Sequence, residues 1–407
     1  MFGRAILALA AGVSFAFAAL VPGINAATAN VGTGRFSVEQ TVKAQHPVLE
    51  VARTYLKYGQ PLPPELEASV REVTALMKRE KGSAAAYPGD DPRGYQVPVS
   101  LGSPAQNIDV LFDTGSSDFW LYGDEPKGIN CKTHTCYRPE KSKTAKKLDG
   151  YTFNVTYADG TVGSGIVYTD NVTIGGLTVK EQPFGLQNWL NEIDVVDCDG
   201  IVGLAFGSGN SIKPKQQKTW FENIKPSLDA PVFTADLQRS GKSWYNFGYI
   251  DKSLYTGKLL YADVDSSQGH WMITATGYSI GEDKFNSTKW KAVVDTGSSL
   301  LLLQRHLYQA WIDKVPGNKS DYLGITLIEC DAKIPPFVIG MGDSNLTILP
   351  KYLNFGEALK IGNFCLSGLQ PFDGYDFSVI GDITFNEAFV VFDATDRAPK
   401  VGFATKS

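Results

Sequence analysis

Short apolar runs separated by turns dominate the chain from residue 94 onward. The runs at residues 95–101, 108–112, 151–157, 165–173 and 232–237 contain many β-branched and aromatic side chains, which predicts strands. Helical periodicity in this part is clearest at residues 217–224 and 305–315. Segment 139–147 is largely polar and rich in lysine, which predicts a solvated loop. The pattern as a whole predicts a mainly β protein.

The chain before residue 94 has a different pattern. The apolar residues of segment 64–77 recur at helical spacing, and they are Leu66, Val70, Val73 and Met77. The dibasic pair Lys78-Arg79 follows, and then a linker at residues 82–93 that is rich in Gly, Ser, Ala, Pro and Asp. We therefore expect a detachable propeptide at residues 27–81. A permanent helical subdomain is the alternative.

The first 26 residues have the layout of a secretory signal peptide. Arg4 precedes an apolar, alanine-rich run at residues 5–20, and small residues follow it. The run is short for a membrane anchor, which is the weaker alternative, and no other stretch is apolar enough to span a bilayer. We expect export to the extracellular space, with an acidic vacuole as the alternative destination.

Length and charge narrow the class of protein. A chain of 407 residues can form two sizeable cores. The net charge of −5 argues against a nucleic-acid partner, because such a partner requires a clustered basic surface. We expect the boundary between two lobes near residues 251–261, which gives an N-terminal lobe at residues 82–255 and a C-terminal lobe at residues 256–407.

One motif occurs twice. The apolar run Val110-Leu-Phe leads into Asp113-Thr-Gly-Ser-Ser, and Ala292-Val-Val leads into Asp295-Thr-Gly-Ser-Ser. Each copy predicts a buried strand that delivers a carboxylate to a tight turn. A single Asp-Thr-Gly is a common turn sequence. Two copies with the same flanks, each followed at a similar interval by an apolar-apolar-Gly segment, indicate two related halves that each supply one carboxylate.

These motifs resemble those of the pepsin-like aspartic proteases, from about Tyr95 to Ala404 and through the propeptide. Residues 112–120 and 295–299 resemble the two catalytic loops, residues 199–204 and 379–383 their partner segments, and residues 157–160 the flap. Ala158 stands where the family commonly has Gly. Asp159, and the absence of a small disulfide before the second loop, resemble the fungal secreted branch. The resemblance implies a mainly β, bilobal fold with a central cleft, preceded by a propeptide.

The paired motifs suit one reaction. Two carboxylates held close together cannot both ionise, as is known for aspartic proteases as a class, so the pair holds one proton over an acidic range. One carboxylate then accepts a proton from a water molecule while the other protonates the scissile amide, which requires no metal and no other cofactor. The resemblance makes Asp113 and Asp295 this pair, acting on protein and peptide substrates.

The resemblance also implies supporting residues. Those around the catalytic pair are Thr114, Gly115, Ser116, Thr296 and Gly297, with Gly203 and Gly381 allowing close backbone approach. Those at the flap and the substrate cleft are Tyr157, Asp159, Gly160, Trp120, Leu111, Ile201, Tyr255, Ser298 and Val379. The alternatives are that Tyr157 is an ordinary strand aromatic, that Asp159 caps a turn and that the apolar residues belong to the core. The pair Lys57-Tyr58 resembles the inhibitory pair of pepsin-type propeptides.

Five cysteines in an exported chain indicate disulfides and one remaining thiol. The resemblance implies the pairs Cys131–Cys136 and Cys330–Cys365, which leaves Cys198 as either a buried apolar residue or a reactive thiol. A zinc site at Cys131, His134 and Cys136 is the weaker alternative, because a fourth ligand is lacking. Five sequons fit glycosylation in the secretory route, at Asn154, Asn171, Asn286, Asn318 and Asn345.

Rival functions have less support. A serine or cysteine hydrolase needs a base, and the four histidines accompany no nucleophile-elbow or zinc-protease motif. A non-enzymatic binding protein on the same scaffold is the more serious rival. We expect a secreted, acid-acting endopeptidase made as a self-activating zymogen that works as a monomer. We expect it to prefer bulky apolar residues around the cut and, through Asp159, Lys before it.

Overall fold

A computed structural model describes residues 29–30, 34–43, 47–80, 94–123, 131, 134–156, 162–189, 198–238, 242–322, 324–356, 360–395 and 397–407. The expected signal peptide and the flap motif at residues 157–160 lie outside this set. Within the set, no helix has both the length and the apolar character needed to cross a bilayer.

The strands are β1 (Ala29–Asn30), β2 (Arg35–Lys43), β3 (Gly94–Leu101), β4 (Gln106–Asp113), β5 (Phe119–Tyr122), β6 (Lys146–Thr156), β7 (Val162–Ile174), β8 (Leu177–Trp189), β9 (Gly200–Gly203), β10 (Val232–Asp236), β11 (Ser243–Phe247), β12 (Tyr255–Asp265), β13 (Met272–Ala275), β14 (Tyr278–Ile280), β15 (Trp290–Val294), β16 (Leu301–Gln304), β17 (Lys319–Tyr322), β18 (Ile325–Glu329), β19 (Phe337–Met341), β20 (Ser344–Ile348), β21 (Lys360–Ile361), β22 (Phe364–Leu366), β23 (Leu369–Phe372), β24 (Phe377–Ile380), β25 (Ala388–Asp393) and β26 (Lys400–Lys406). The helices are α1 (Pro47–Lys57), α2 (Pro64–Glu80), α3 (Trp220–Ile224), α4 (Arg305–Ile312), α5 (Pro350–Leu353) and α6 (Asp382–Glu387).

The prediction of a mainly β protein is confirmed, and the five predicted runs correspond to β3, β4, β6, β7 and β10. The predicted helical segments contain α3 and α4, and α2 covers the amphipathic segment before residue 94. The prediction of a loop at residues 139–147 is wrong at its end, because β6 begins at Lys146 and pairs with β7 there. Pairing with a neighbouring strand outweighs the polar composition of this segment.

The two halves share one strand arrangement. In the N-terminal half, β4 runs parallel to β9, and β9 is antiparallel to β5. In the C-terminal half, β15 runs parallel to β24, and β24 is antiparallel to β16. The register is equivalent, since Leu111 lies beside Ile201 and Val293 lies beside Val379. The motif repeat in the sequence therefore corresponds to a repeat of three-stranded units, each ending in a carboxylate.

A further sheet joins the halves and includes β2 from the segment before residue 94. Within it β10 pairs with β11 and β25, β25 pairs with β26, and β26 pairs with β12. Strand β2 lies between β11 and β3, with Val38 opposite Tyr245 and Thr41 opposite Gln96. Residues 35–43 thus form part of this sheet, which the sequence did not predict.

Helices α1 and α2 are held by apolar side chains on one face. In α1 the buried residues Val48, Ala52 and Leu56 recur at helical spacing, and in α2 Leu66 and Val70 are fully buried. Burying one Val or Leu side chain stabilises by about 1.5–3 kcal/mol. The two helices therefore pack as part of the core in this state of the chain.

Candidate active site

Two buried carboxylates lie at equivalent positions of the two halves. Asp113 ends β4 and Asp295 follows β15. Each accepts a hydrogen bond from a backbone N–H two residues on and from a hydroxyl three residues on. The donors are Gly115 N (2.9 Å) and Ser116 Oγ (2.5 Å) for Asp113, and Gly297 N (2.8 Å) and Ser298 Oγ (2.5 Å) for Asp295.

Two buried threonines join the carboxylate loops across the lobes. Thr114 N donates to Thr296 Oγ1 at 3.1 Å, and Thr296 N donates to Thr114 Oγ1 at 2.9 Å. The hydroxyls donate onward, that of Thr114 to Val294 O and that of Thr296 to Phe112 O, each at 2.9 Å. These four reciprocal bonds fix the position of one carboxylate loop relative to the other.

The loops approach so closely that glycine is required at two positions beside them. A Cβ at Gly203 would lie 2.6 Å from Ser116 O, and one at Gly381 would collide with the carbonyl oxygens of Ser298 and Leu300. Such contacts with backbone cannot be relieved by a side-chain movement. The glycine of each apolar-apolar-Gly segment is therefore dictated by the packing of the loops.

Helix α1 inserts a cation between the carboxylates. Lys57, the last residue of α1, places Nζ 2.5 Å from Asp113 Oδ1, and 2.7 and 2.8 Å from the two oxygens of Asp295. The next residue, Tyr58, donates its hydroxyl to Asp295 Oδ2 at 2.9 Å. The side chain of Lys57 is 9% exposed. The ammonium fills the space between the two carboxylates.

The two carboxylates differ in proton affinity. Burial raises the pKa of Asp113 above its ordinary value although Lys57 opposes the shift. Burial alone would raise the pKa of Asp295, but the Lys57 ammonium and the hydrogen bonds with Ser298 and Asp113 together outweigh burial, so the pKa of Asp295 is lowered. The difference follows from the geometry, because Lys57 contacts both oxygens of Asp295 and one oxygen of Asp113.

A second group of residues on α1 binds the C-terminal carboxylate loop. Arg53 donates through Nη2 to Gly297 O at 2.5 Å and to Glu50 Oε2 at 3.0 Å. Glu50 Oε2 in turn accepts from Ser299 Oγ at 2.5 Å. Arg53 and Glu50 are both buried. Helix α1 therefore binds this loop through a buried ion pair as well as through Lys57.

Aromatic rings surround the ring of Tyr58. The neighbours are His270, Phe372, Tyr375 and Phe377, with ring centroids 5.7, 6.1, 6.4 and 5.5 Å from that of Tyr58. All four contacts are edge-to-face, an arrangement that is favourable for aromatic pairs. A pocket with aromatic walls therefore lies next to Asp295 and holds the side chain of Tyr58.

The other expected cleft residues lie in different surroundings. Leu111, Trp120 and Ile201 are buried in one small apolar cluster beside the first carboxylate loop. Val379 is fully buried in the main core beside Val293, which is the alternative stated for it. Tyr255 lies in the sheet between the lobes, and its ring stacks on that of Phe389 with the centroids 5.2 Å apart. These contacts do not support its expected place in the cleft. The flap residues Tyr157, Asp159 and Gly160 lie outside the described residues.

The cysteines have defined states. Disulfides join Cys131 to Cys136 and Cys330 to Cys365, the pairs that the resemblance implied. Cys198 is free and buried, and burial raises its pKa to about 12, so it remains a thiol at neutral pH. This favours the buried apolar residue over the reactive thiol. Among the described residues, no three His, Cys, Asp or Glu side chains cluster in a way that could hold a metal ion.

Another buried carboxylate lies next to the first loop. Asp118 Oδ1 accepts from Asn210 Nδ2 and Ser211 N, each at 2.8 Å. Burial raises the pKa of Asp118 to about 6. Because the folded-state pKa is raised, the stability that this group contributes is complete below its unfolded pKa and is lost as the pH rises through 6.

We predict that Asp118→Asn increases the free energy of unfolding at neutral pH, because it removes the buried ionised carboxylate. The shift from 3.8 to about 6 corresponds to about 3 kcal/mol at neutral pH, since one pKa unit is about 1.4 kcal/mol. The free energy of unfolding should therefore fall less for the variant than for the wild type between pH 4 and 7, which denaturant titration at several pH values measures. Parallel stability curves would contradict the prediction.

Several site residues were missed by the sequence reasoning. Arg53, Glu50 and the aromatic neighbours of Tyr58 carry no motif of their own, since each acts through a partner more than 100 positions away. The one available signal was in α1. Charged residues at positions 50 and 53, one helical turn apart, lie on the face that also carries Lys57.

Comparison with known proteins places this geometry in a family. The family model for eukaryotic aspartyl protease matches residues 94–406. Endothiapepsin of Cryphonectria parasitica is 40% identical over 388 residues, which cover 93% of this chain and 92% of the relative. Podosporapepsin of Podospora anserina is 37% identical over 377 residues (89% and 88%), and penicillopepsin-2 of Penicillium janthinellum is 35% identical over 388 residues (92% and 94%). The chain belongs to the eukaryotic aspartyl protease family and is an aspartic endopeptidase, a hydrolase of peptide bonds.

Proposed function

We propose that this endopeptidase is made as a latent precursor, exported and activated in acid, with Asp113 and Asp295 as its catalytic pair. The observation that carries the proposal is the Lys57 ammonium, whose Nζ lies within 2.8 Å of both carboxylates. A buried cation requires negative partners, because removing it from water without them costs several kcal/mol. The two carboxylates thus form one polar pocket, and a segment of the same chain fills it.

In the open enzyme a water molecule takes the place of Lys57. Without the ammonium, both buried carboxylates cannot remain ionised, so the pair binds one proton and titrates as a unit. The ionised member accepts a proton from the water, and the protonated member donates to the scissile amide nitrogen. Thr114 and Thr296 support this step by fixing the relative position of the loops, so that little reorganisation is needed during reaction.

Latency follows from the same contacts. In the closed form the pKa of Asp295 is lowered. The closed form is therefore favoured at a pH above the ordinary pKa of a carboxylate, and it loses stability as the pH falls through that pKa. Cleavage after the first opening then makes activation irreversible. We place the propeptide at residues 27–81 after a signal peptide at residues 1–26, and the lobes at residues 82–255 and 256–407. The alignment with endothiapepsin extends to residues before the family match at 94, which supports a leading segment that the two chains share.

Substrate preference is proposed from the walls around the pair. Leu111 and Ile201, buried in the apolar cluster beside the first carboxylate loop, would back one side of the cleft, and the aromatic neighbours of Tyr58 would line the other. Bulky apolar side chains on both sides of the scissile bond fit these walls. The flap residues Tyr157 and Gly160 would close over the substrate and exclude water.

We predict that Asp159→Ser selectively reduces cleavage after Lys. An ionised Asp159 on the flap would pair with a Lys ammonium at the residue before the cut, an interaction worth about 0.2–1 kcal/mol if exposed and more if partly buried. The measurement compares kcat/KM for matched Lys and Leu peptides across the acidic range. The wild-type preference for Lys should grow as the pH rises through about 4, the ordinary pKa of Asp. Equal losses on both peptides would assign Asp159 to the hairpin turn instead.

Export is proposed from the signal-like segment and from features compatible with the secretory route. The two disulfides suit an oxidising compartment. Four of the five sequon asparagines are exposed, Asn154, Asn286, Asn318 and Asn345, and Asn171 is half-buried. A carbohydrate chain can reach an exposed asparagine without unfolding. The extracellular space is the proposed destination, and an acidic vacuole is the alternative.

The test is digestion of casein by acid-treated protein. We expect proteolysis at acid pH that a statine-type transition-state mimic abolishes, since such a mimic binds tightly only to an assembled pair. N-terminal sequencing of the product should place its start after residue 81. A folded, processed chain without acid proteolysis would support the rival proposal of a binding protein on this scaffold.

A further inference from the structure

His270 lies beside the first carboxylate loop, under the propeptide. Its Nδ1 is 3.0 Å from Gly115 O, and its ring contacts the ring of Tyr58 edge-to-face at 5.7 Å. A carbonyl oxygen only accepts hydrogen bonds, so Nδ1 carries a proton in the neutral and the charged ring alike. Nε2 is therefore the atom that gains or loses a proton as the pH changes.

The Lys57 ammonium approaches the same glycine. A Cβ placed on Gly115 would lie 2.5 Å from Lys57 Nζ, so this residue has an imidazole at its carbonyl and an ammonium at its Cα. An imidazolium at His270 would be a second cation near a buried ammonium. Among the described residues, two charged groups shift the pKa of His270. Lys57 repels a cation there, and Asp295 attracts it. The phenol of Tyr58 stays neutral, because burial raises its pKa well above the ordinary value.

Closed and open forms differ in the surroundings of this ring. In the closed form burial and the Lys57 ammonium lower the pKa of His270 below its ordinary 6.5. When the propeptide leaves, the ammonium and the covering Tyr58 ring leave with it. Asp295 and Gly115 O, which both raise the pKa of His270, remain. The open form therefore binds a proton at Nε2 more tightly than the closed form, and proton binding favours opening.

The carboxylates alone provide a poorer trigger near neutral pH. A free Asp has an ordinary pKa near 4, so opening driven by Asp295, which contacts Lys57 through both of its oxygens, begins only as the pH falls through that range. An imidazole instead begins to bind protons near pH 6.5. His270 is thus suited to sense mild acidity at the point where the propeptide is anchored.

We propose that His270 is a proton-binding switch of the latent enzyme, whose imidazolium opposes Lys57 and promotes release of the propeptide from the cleft in mild acid. The inference rests on the proposed function, because it takes Lys57 as the inhibitory contact. The proposal makes the His270 imidazole a proton-binding group that promotes opening in addition to the catalytic carboxylates. The effect grows as the pH falls below about 6.5 and levels off below the closed-form pKa of His270.

The test measures opening of the full-length precursor. A fluorescent statine-type mimic is mixed with intact precursor between pH 4 and 7, and its initial binding rate is recorded before gel analysis detects any cleavage. The variants are His270→Gln, which can still donate to Gly115 O but never becomes charged, and His270→Phe, which keeps an aromatic ring against Tyr58. Acid-processed wild type serves as the fully open reference.

We expect both variants to need a lower pH for half-maximal opening than the wild type. Between pH 5 and 7, a plot of the logarithm of the opening rate against pH should be less steep for the variants by up to about one unit, because opening takes up one proton fewer. A wild-type pH profile in His270→Gln, or a uniform change in rate without loss of slope, would overturn the proposal and leave His270 as a packing residue. Failure of the processed wild type to bind the mimic would instead contradict the proposed function.

Discussion

Asp113→Asn and Asp295→Asn are expected to abolish proteolysis while leaving the chain folded. Asn has nearly the shape of Asp and can still accept from Gly115 N or Gly297 N, but it cannot exchange the proton that the reaction requires. General acid-base catalysis contributes about 10²–10⁴ in rate, so kcat/KM on a peptide at acid pH should fall at least that far. The variants also should not process themselves, so wild-type enzyme must remove their propeptide before the assay.

A matched control is available on the same loop. Asp118 is also a buried carboxylate, and its pKa of about 6 makes it neutral at the acid pH of the assay. Asp118→Asn should therefore retain activity at pH 4, although it carries the same chemical change. If Asp113→Asn or Asp295→Asn kept more than about a tenth of wild-type activity, the assignment of the catalytic pair would be wrong, since the expected loss is at least about 10²-fold.

Lys57→Met is expected to weaken latency. The substitution keeps an apolar stem in α1 and removes the ammonium that contacts both carboxylates. Breaking a buried ion pair costs about 3–5 kcal/mol, which corresponds to an increase of 10²-fold or more in the open population. The precursor should therefore process itself at a higher pH than the wild type, and the rate of propeptide loss at pH 6, followed on gels, measures this.

Arg71→Ala is the control for loss of a propeptide cation. Arg71 pairs with Glu67 on α2, with side chains 63% and 44% exposed, and exposed pairs of this kind contribute little. Its activation profile should match that of the wild type. A Lys57→Met precursor that activates with the wild-type pH profile would show that the ammonium does not enforce latency.

The sequence predicted the parts of the site that depend on local patterns. Apolar runs ending in Asp-Thr-Gly predicted where Asp113 and Asp295 lie, because burial of a strand and a tight turn leave a local signature. The spacing of Leu66 and Val70 predicted α2 for the same reason. The disulfide pairs required the family resemblance, since spacing alone leaves several connectivities open.

Other parts depend on contacts between distant segments. Strand β2 was not predicted, because its order comes from pairing on both sides with β11 and β3. Arg53 and His270 carry no local sign of a role, and only the fold brings them to Gly297 and Gly115. Tyr255 was assigned by position in the family, whereas β12 pairs with β26 and directs its ring to Phe389.

We propose that one pair of carboxylates forms the active site and that Lys57 blocks it until acid opens it. Titration of the purified precursor with a tight-binding statine-type mimic, before and after acid treatment, tests both parts in one measurement. We predict no binding at neutral pH before acid treatment and one molecule of mimic per chain afterwards, with proteolysis falling to zero at that equivalence point. Full binding to the untreated precursor at neutral pH, or none to the treated chain, would contradict the account.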